Sequence, residues 1–281
     1  MSYFEKNKIR IAILDLYDGA ANQGMRCIRE ILNQFGETNH LDLSWDEFDV
    51  RQKKEVPDLS YDIFISSGGP GSPLDSEGSE WEDVYFNWLH GVEKWNNNDS
   101  RVQKKQVFFI CHSFQLACRH YKIGNVCQRK STSFGVFPVH LLKDGKKEIV
   151  FEGMKDPFYA VDSRDYQVIE PRHNTLIEMG ATILAIEKER KHVDLERAIM
   201  AVRFNEYMIG TQFHPEADAV GMSMHLQTEE KKKTVIANHG EEKWINMIEH
   251  LNDPDKIIYT YQHIIPNFLQ LSVQSLQSIE I

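Results

Sequence analysis

Phe108-Phe109-Ile110-Cys111-His112-Ser113-Phe114-Gln115-Leu116-Ala117 is the stretch whose reading decides the fold. An apolar run, Val107 to Ile110, meets a cysteine and changes at once to helical spacing. The pattern predicts a strand, a sharp turn at Cys111 and a helix from about His112. A thiol there stands at a strand's end and against a helix N-terminus, where unpaired N–H groups and the helix dipole favour an anion. The same turn exposes the sulfur and sets a backbone N–H beside it for a developing oxyanion. Taken alone, an unpaired cysteine is more often a small core residue than a nucleophile, so the flanking chain has to decide.

Working outward, Ile9 to Leu16 has the β-rich apolar content of a buried parallel strand. Asn22 is placed to cap a helix over about Gln23 to Phe35, which carries Met25, Ile28, Ile31 and Leu32 on one face and meets Gly36 as its stop. Leu41 to Trp45 alternates as a second strand, and Tyr61 to Ser66 is a third, running directly into Ser67-Gly68-Gly69-Pro70-Gly71-Ser72-Pro73. A helix rich in Trp and Tyr (Trp81, Val84, Tyr85, Trp88, Leu89) precedes the opening strand. Strand and helix in alternation imply an α/β fold with right-handed crossovers, a mostly parallel sheet and helices on both faces. Phe134 to Leu142 and Ala181 to Glu187 read as an antiparallel extension. Ala198 to Phe204 and Tyr207 to Phe213 read as a hairpin turning at Asn205-Glu206.

Beyond about Asp218 the character changes. Glu229-Glu230-Lys231-Lys232-Lys233 is a charge run that reads as a solvated helix face. Trp244, Met247, Ile248 and Leu251 form one apolar stripe, and Ile264, Ile265, Phe268, Leu269 and Leu271 form another. The expected organisation is therefore residues 1–217 as the sheet domain and 218–281 as a helical C-terminal extension packed on the same domain.

The chain has 281 residues, 41% of them hydrophobic, and a net charge of −10 from 32 Lys and Arg against 42 Asp and Glu. An acidic balance argues against nucleic acid or an anionic membrane surface as the main partner. Cys27, Cys111, Cys118 and Cys127 show no CxxC pair and no metal spacing. With no apolar signal segment at Met1–Arg10, they read as reduced thiols of a cytoplasmic protein. No run approaches the roughly 18 apolar residues of a membrane span. His173, His192, His225 and His239 lack metal-ligand spacing and read as surface or core histidines, so neither metal nor cofactor is expected. Cys118 follows Cys111 by seven, on one helix face if the turn is included, and reads as packing. Arg119-His120 is expected on the solvated side.

Two further segments give Cys111 its context. Gln212-Phe213-His214-Pro215-Glu216 ends the last expected sheet strand. Pro215 holds His214 extended, and residues two apart on extended chain project to the same side. Glu216 can therefore fix one ring nitrogen of His214 as N–H, leaving the other to take a thiol proton, the logic of a Cys-His-acid triad. Gly68-Gly69-Pro70-Gly71 allows close backbone approach and presents N–H groups at the angles an oxyanion site needs. All three segments follow the C-terminal ends of expected strands, where open α/β sheets bind their ligands.

At these residues the sequence resembles the class I glutamine amidotransferase family, and within it the glutaminase domain of GMP synthase. The family pattern Gly-x-Cys-x-Gly-x-Gln reads here Phe109-Ile110-Cys111-His112-Ser113-Phe114-Gln115. It is preceded by Gly68-Gly69-Pro70-Gly71-Ser72-Pro73 and followed by His214-Pro215-Glu216, and order and spacing agree from about residue 9 to 217. The resemblance implies a flavodoxin-like sheet and attack of Cys111 on the side-chain amide of glutamine. His214 would serve as base and then acid, oriented by Glu216, and the N–H groups of Gly69 and His112 would hold the oxyanion. Gln115 and the Ser133-Phe134-Gly135 segment would help bind glutamine, with Asp165 contacting its amino-acid end.

Both motif glycines are replaced, by Phe109 and Ser113. A pyrophosphatase loop of the Ser-Gly-Gly-Val-Asp-Ser type and a Gly-x-x-x-x-Gly-Lys-[Ser/Thr] loop do not occur. The resemblance thus implies a free-standing subunit whose ammonia would go to a separate synthetase. Two other readings stand beside it: a γ-glutamyl peptidase or hydrolase with the same triad, and a catalytically weak binding or regulatory protein in which Phe109 fills the substrate pocket.

Overall fold

The apolar run at the start of the chain is strand β1 (Ile9–Asp15), followed by helix α1 (Gly24–Thr38), in a computed structural model that describes residues 8–190, 193–251, 253 and 256–277. Asn22 Oδ1 accepts the Met25 N–H at 3.0 Å and so caps α1. The helix passes through Gly36, its expected stop, and ends where His40 turns left-handed at φ 53°. Leu41 N–H then closes back on the Gly36 carbonyl at 3.0 Å.

Next come β2 (Leu43–Asp49), β3 (Ile63–Ser66), α2 (Glu80–Asn96), β4 (Gln106–Ile110) and α3 (His112–His120). Then β5 (Asn125–Leu141), β6 (Phe158–Ile169), α4 (His173–Met179), β7 (Thr182–Glu187), β8 (Ile199–Asn205) and β9 (Met208–Thr211) complete the sheet. Among the described residues the strands lie in the order β2-β1-β3-β4-β9-β8-β7-β5-β6. The pairs from β2 to β9 are parallel, and those from β9 to β6 are antiparallel. This is an α/β, flavodoxin-like sheet with an antiparallel extension. The β8–β9 hairpin turns where expected, with Tyr207 N–H on Asn205 Oδ1 at 2.9 Å.

Two-residue alternation sorts the strand side chains onto two faces. Ile11, Ile13, Phe108 and Ile110 pack with Met25, Ile28 and Ile31 of α1 on one face. Ala12, Leu14, Val107 and Phe109 pack with Tyr85 and Trp88 of α2 and with Leu116 and Ala117 of α3 on the other. Each large side chain buried in these layers contributes on the order of 1.5–3 kcal/mol. The sandwiched strands leave only their ends for chemistry.

Helices α5 (Ala219–Leu226), α6 (Glu229–His239), α7 (Glu241–Leu251) and α8 (Ile257–Gln277) follow the sheet. Ile264, Ile265, Phe268 and Leu269 of α8 join the face of α1, where the Phe268 ring meets Phe108 edge-on at 5.1 Å. Met222, Leu226, Val235 and Ile257 form a smaller cluster with Val136 and Val161. Glu229 and Lys233 are solvated, as the charge run suggested. The side chains of His225, His239, Met247 and Leu251, and all of His192, lie outside the described residues. No helix among the described residues is long and apolar enough to cross a membrane.

Three sequence expectations are corrected. Strand β6 was not anticipated, because Asp162-Ser163-Arg164-Asp165 interrupts its apolar pattern; Asp162 and Arg164 are in fact buried. Arg119 is not on a solvated face, since it pairs with buried Glu82, whereas His120, stacked on Phe86 at 4.4 Å, is exposed as expected. Cys111 and Cys118 belong to opposite faces of the sheet, since Cys111 at φ 48°, ψ −94° is not helical and breaks the periodicity.

Candidate active site

The turn at Cys111 joins β4 to α3 with a left-handed φ that a non-glycine residue adopts only at a cost of about 1–3 kcal/mol. Its N–H donates to Thr211 O at 2.8 Å, and its carbonyl accepts the Gln115 N–H at 3.0 Å, so both neighbouring strand and helix fix the turn. The sulfur meets Ser163 O at 3.8 Å and Gln212 Nε2 at 3.8 Å. Ser163 belongs to β6, so the unexpected strand supplies one wall of the site.

His214 follows β9 and is tied to β6 by its own N–H, which donates to Val161 O at 2.9 Å. Its Nδ1 lies 2.8 Å from Glu216 Oε1. The Glu216 residue is 1% exposed, and its Oε2 has no hydrogen-bond partner among the described residues. Burial opposes the imidazolium of His214. The Cys111 charge, the Glu216 charge and the hydrogen bond that Glu216 accepts outweigh it and raise the ring well above its ordinary pKa. The three groups expected to act together are therefore neighbours, the carboxylate bonded to Nδ1 and the Cys111 charge felt by the ring.

Gly68 and Gly69 close the site from β3. A Cβ on Gly68 would sit 2.8 Å from His214 Cε1, and one on Gly69 would sit 2.2 Å from the Leu16 carbonyl oxygen. Only glycine fits at either place. Ser67 Oγ accepts Leu16 N–H at 2.9 Å and donates to Gly68 O at 2.8 Å, which pins the loop to the end of β1. His112 opens α3, where a backbone N–H has no acceptor within the helix. Its ring is buried, and burial, with Arg51 and Arg119 nearby, pushes its pKa down to about 3, so the residue beside the nucleophile is neutral.

Gln115 is linked to the thiol through Gln212: its Nε2 donates to Gln212 Oε1 at 3.1 Å and to Tyr166 O at 3.2 Å. Ser133, Phe134 and Gly135 stand opposite Arg164, Ser163 and Asp162 across the β5–β6 ladder, which puts them beside the wall that touches Cys111. Ser133 Oγ donates to Asp162 Oδ2 at 2.7 Å. Asp165 is not gathered with them. It is exposed and accepts from Thr132 Oγ1 at 2.5 Å.

The buried carboxylate of this strand is Asp162, which sequence reasoning missed along with its partners. Arg164 Nε donates to Asp162 Oδ1 at 2.8 Å. Glu187 lies 2.9 Å from Arg129, 3.1 Å from Arg190 and 3.4 Å from Arg164. Burial opposes the Arg164 charge, but Asp162 and Glu187 raise its pKa above the usual guanidinium value. Period-two alternation along β6 would have singled out Asp162, Arg164 and the buried Val168 had the strand been recognised.

Phe109 does not enter the cleft. It is fully buried on the face opposite Cys111, edge-on to Phe204 at 5.6 Å. No cluster of metal-ligating side chains occurs among the described residues, and His173 is exposed. A thiol at a strand-to-helix turn, a carboxylate-bonded imidazole and a glycine loop are a set whose chemistry suits acyl transfer through a thioester.

The chain is similar in structure to a glutamine amidotransferase from Thermotoga maritima (16% identity, 95% of this chain and 99% of that one, TM-score 0.67). It is also similar to a glutamine amido transferase from Methylobacillus flagellatus (13% identity, 94% of each chain, TM-score 0.55). A third likeness is to the glutaminase domain of Trypanosoma brucei CTPS with bound acivicin (16% identity, 74% of this chain and 86% of that one, TM-score 0.54). At these identities the likeness is one of fold. No curated protein matches the sequence. The profile of glutamine amidotransferase class-I, in contrast, matches residues 21–233, most of the chain. The chain belongs to the class I glutamine amidotransferase family, and is an amide-hydrolysing enzyme of that family.

Proposed function

We propose that Cys111, His214 and Glu216 are the working triad, that Gly69 and His112 supply the oxyanion N–H groups, and that the side-chain amide of glutamine is the bond cleaved. The observation that carries this reading is the imidazole of His214, held 2.8 Å from buried Glu216 and raised in pKa by the charge of Cys111. The thiolate attacks the amide carbon, and the tetrahedral oxyanion rests on the two N–H groups. His214 gives its proton to the departing ammonia, leaving a γ-glutamyl thioester. Water, deprotonated by His214, then cleaves the thioester to glutamate and restores the thiol. Gln115 and the Ser133–Gly135 segment line the substrate side.

The same reading makes the chain a GMP synthase-like glutaminase of the cytoplasm that passes ammonia to a synthetase subunit. Its motif order supports this, and Phe109, the residue that could have blocked the cleft, packs away from it. The test is release of glutamate from glutamine and from γ-glutamyl peptides, with and without a candidate synthetase, against a Cys111→Ala control. Glutamine is expected to be the better substrate, and acivicin is expected to label Cys111. No glutamate above the control from any of these substrates would overturn the reading.

A further inference from the structure

Ser113 stands where the family pattern has its second glycine, and its hydroxyl occupies an unusual place. In the β3–β4 ladder Gln106 N–H donates to Asp62 O at 3.2 Å, and residues of the same parity continue the series. The next such bond but one would run from Ile110 N–H to Ser66 O. Instead Ile110 N–H donates to Ser113 Oγ at 2.8 Å, and Ser113 Oγ lies 2.7 Å from Ser66 O and 3.0 Å from Ile110 O. One fully buried hydroxyl is thus inserted into the ladder at its last rung.

That rung is where the two strands leave for the active site. Ser66 leads through Ser67 into Gly68-Gly69, and Ile110 leads into Cys111. The loop's other side is pinned to β1 through Ser67 Oγ. We propose that Ser113 is a positioning residue: its hydroxyl spaces the Gly69 loop from the Cys111 turn and so sets the separation of oxyanion donor and nucleophile. The inference rests on the functional reading above for its kinetic consequence, but its geometric content does not.

Two substitutions separate this role from plain packing. Ser113→Ala removes the oxygen and keeps a methyl group, which leaves no room for a water in its place. Ser113→Gly removes both atoms and leaves space for about one water with three polar neighbours, Ile110 N–H, Ile110 O and Ser66 O, enough to hold it. Helix propensity makes glycine the more destabilising of the two. The expected result is an inversion, with Ser113→Ala melting higher than Ser113→Gly but losing at least tenfold in kcat for glutamate release, while Ser113→Gly loses no more than about threefold. KM and the rate of Cys111 alkylation by iodoacetamide should change less than twofold in both, since substrate contacts and thiol are untouched.

Crystal structures of both variants give a reading that does not need turnover. A water bridging Ile110 N and Ser66 O in Ser113→Gly, and closure to a direct N–H···O bond in Ser113→Ala, are expected. An unchanged gap in Ser113→Ala, or kcat following the stability order, would overturn the proposal. If the wild type releases no glutamate while the two gaps behave as expected, the functional reading fails and the inserted bridge stands.

Discussion

Phe109 of β4 lies directly across the parallel ladder from Gly210 of β9. The first glycine absent from the nucleophile motif is matched by a glycine on the neighbouring strand, and the space vacated at 210 is the space Phe109 and Phe114 take. A Cβ at Gly210 would come within 3.0 Å of Phe109 Cβ and of Phe114 Cδ2, and 3.1 Å from Phe109 O. Gly210→Ala should therefore cost about 1–3 kcal/mol by overpacking. Phe109→Ala should cost about 3–5 kcal/mol by leaving a cavity. Phe109→Ala keeps the Cβ and carbonyl that crowd position 210 but frees the ring volume into which Phe114 Cδ2 can yield. The double variant should therefore be more stable than the sum of the singles requires, by on the order of 1 kcal/mol. Urea unfolding of the four proteins measures this, and strict additivity would show that the two positions are not coupled.

In the proposed triad Glu216 acts only through the tautomer and orientation of His214, whose Nδ1 it meets at 2.8 Å. Glu216→Gln keeps the shape of the side chain but offers an amide where Nδ1–H needs an acceptor. The expected loss in kcat is roughly 10³- to 10⁴-fold, as for the loss of the carboxylate in other triads, with KM nearly unchanged. The pH dependence of Cys111 alkylation should also move, since one of the two charges that raise His214 is gone. A kcat within tenfold of wild type would remove Glu216 from the triad.

Much of this site was readable from the chain because its parts sit at strand ends, where an apolar run stops abruptly: Ile110 before Cys111, Ser66 before Gly68, Phe213 before His214. The parallel half of the sheet follows the same logic, since strands buried on both faces are written as continuous apolar runs. What stayed hidden is β6. Its centre is Asp162-Ser163-Arg164-Asp165, polar because Asp162 and Arg164 are buried against one another rather than against oil and Ser163 meets the Cys111 sulfur. A local rule fails there because the site demands polar groups inside a strand. Asp165 illustrates the same point: it fits the motif by position but, one residue after buried Arg164, faces solvent. The Phe109–Gly210 match was beyond sequence reading for another reason. It depends on which strands are neighbours, and β4 and β9 are about a hundred residues apart in the chain.

Glu187 faces Arg129, Arg164 and Arg190, with Asp162 the second carboxylate in the cluster. Three guanidiniums against two carboxylates leave no spare negative charge, and four of the five side chains are at most 6% exposed. Removing one partner of such a buried set leaves an uncompensated charge and costs about 3–5 kcal/mol. Glu187→Gln should fall in this range by urea unfolding. A cost below 1 kcal/mol would mean that water already solvates the guanidiniums.

His112 and His214 pull stability in opposite directions as pH changes. His112 has a folded pKa of about 3, below the roughly 6.5 of an unfolded histidine. As pH falls below about 6.5 the unfolded chain takes a proton that the folded one refuses, so stability declines from there towards pH 3. His214 is raised well above its ordinary value, because the Cys111 and Glu216 charges overcome the burial that disfavours its own. Its contribution is full below about 6.5 and is lost as pH rises from there through the folded value, since the folded state holds a proton the unfolded chain has released. Together the two histidines place the stability maximum near neutral pH. His112→Phe should flatten the acid limb alone, and Cys111→Ala, by removing the larger of the two charges that raise His214, should flatten the alkaline limb alone. Urea midpoints at about pH 4, 6.5 and 9 for the three proteins test the assignment. An alkaline limb as steep in Cys111→Ala as in the wild type would mean that the thiolate does not hold the proton on His214.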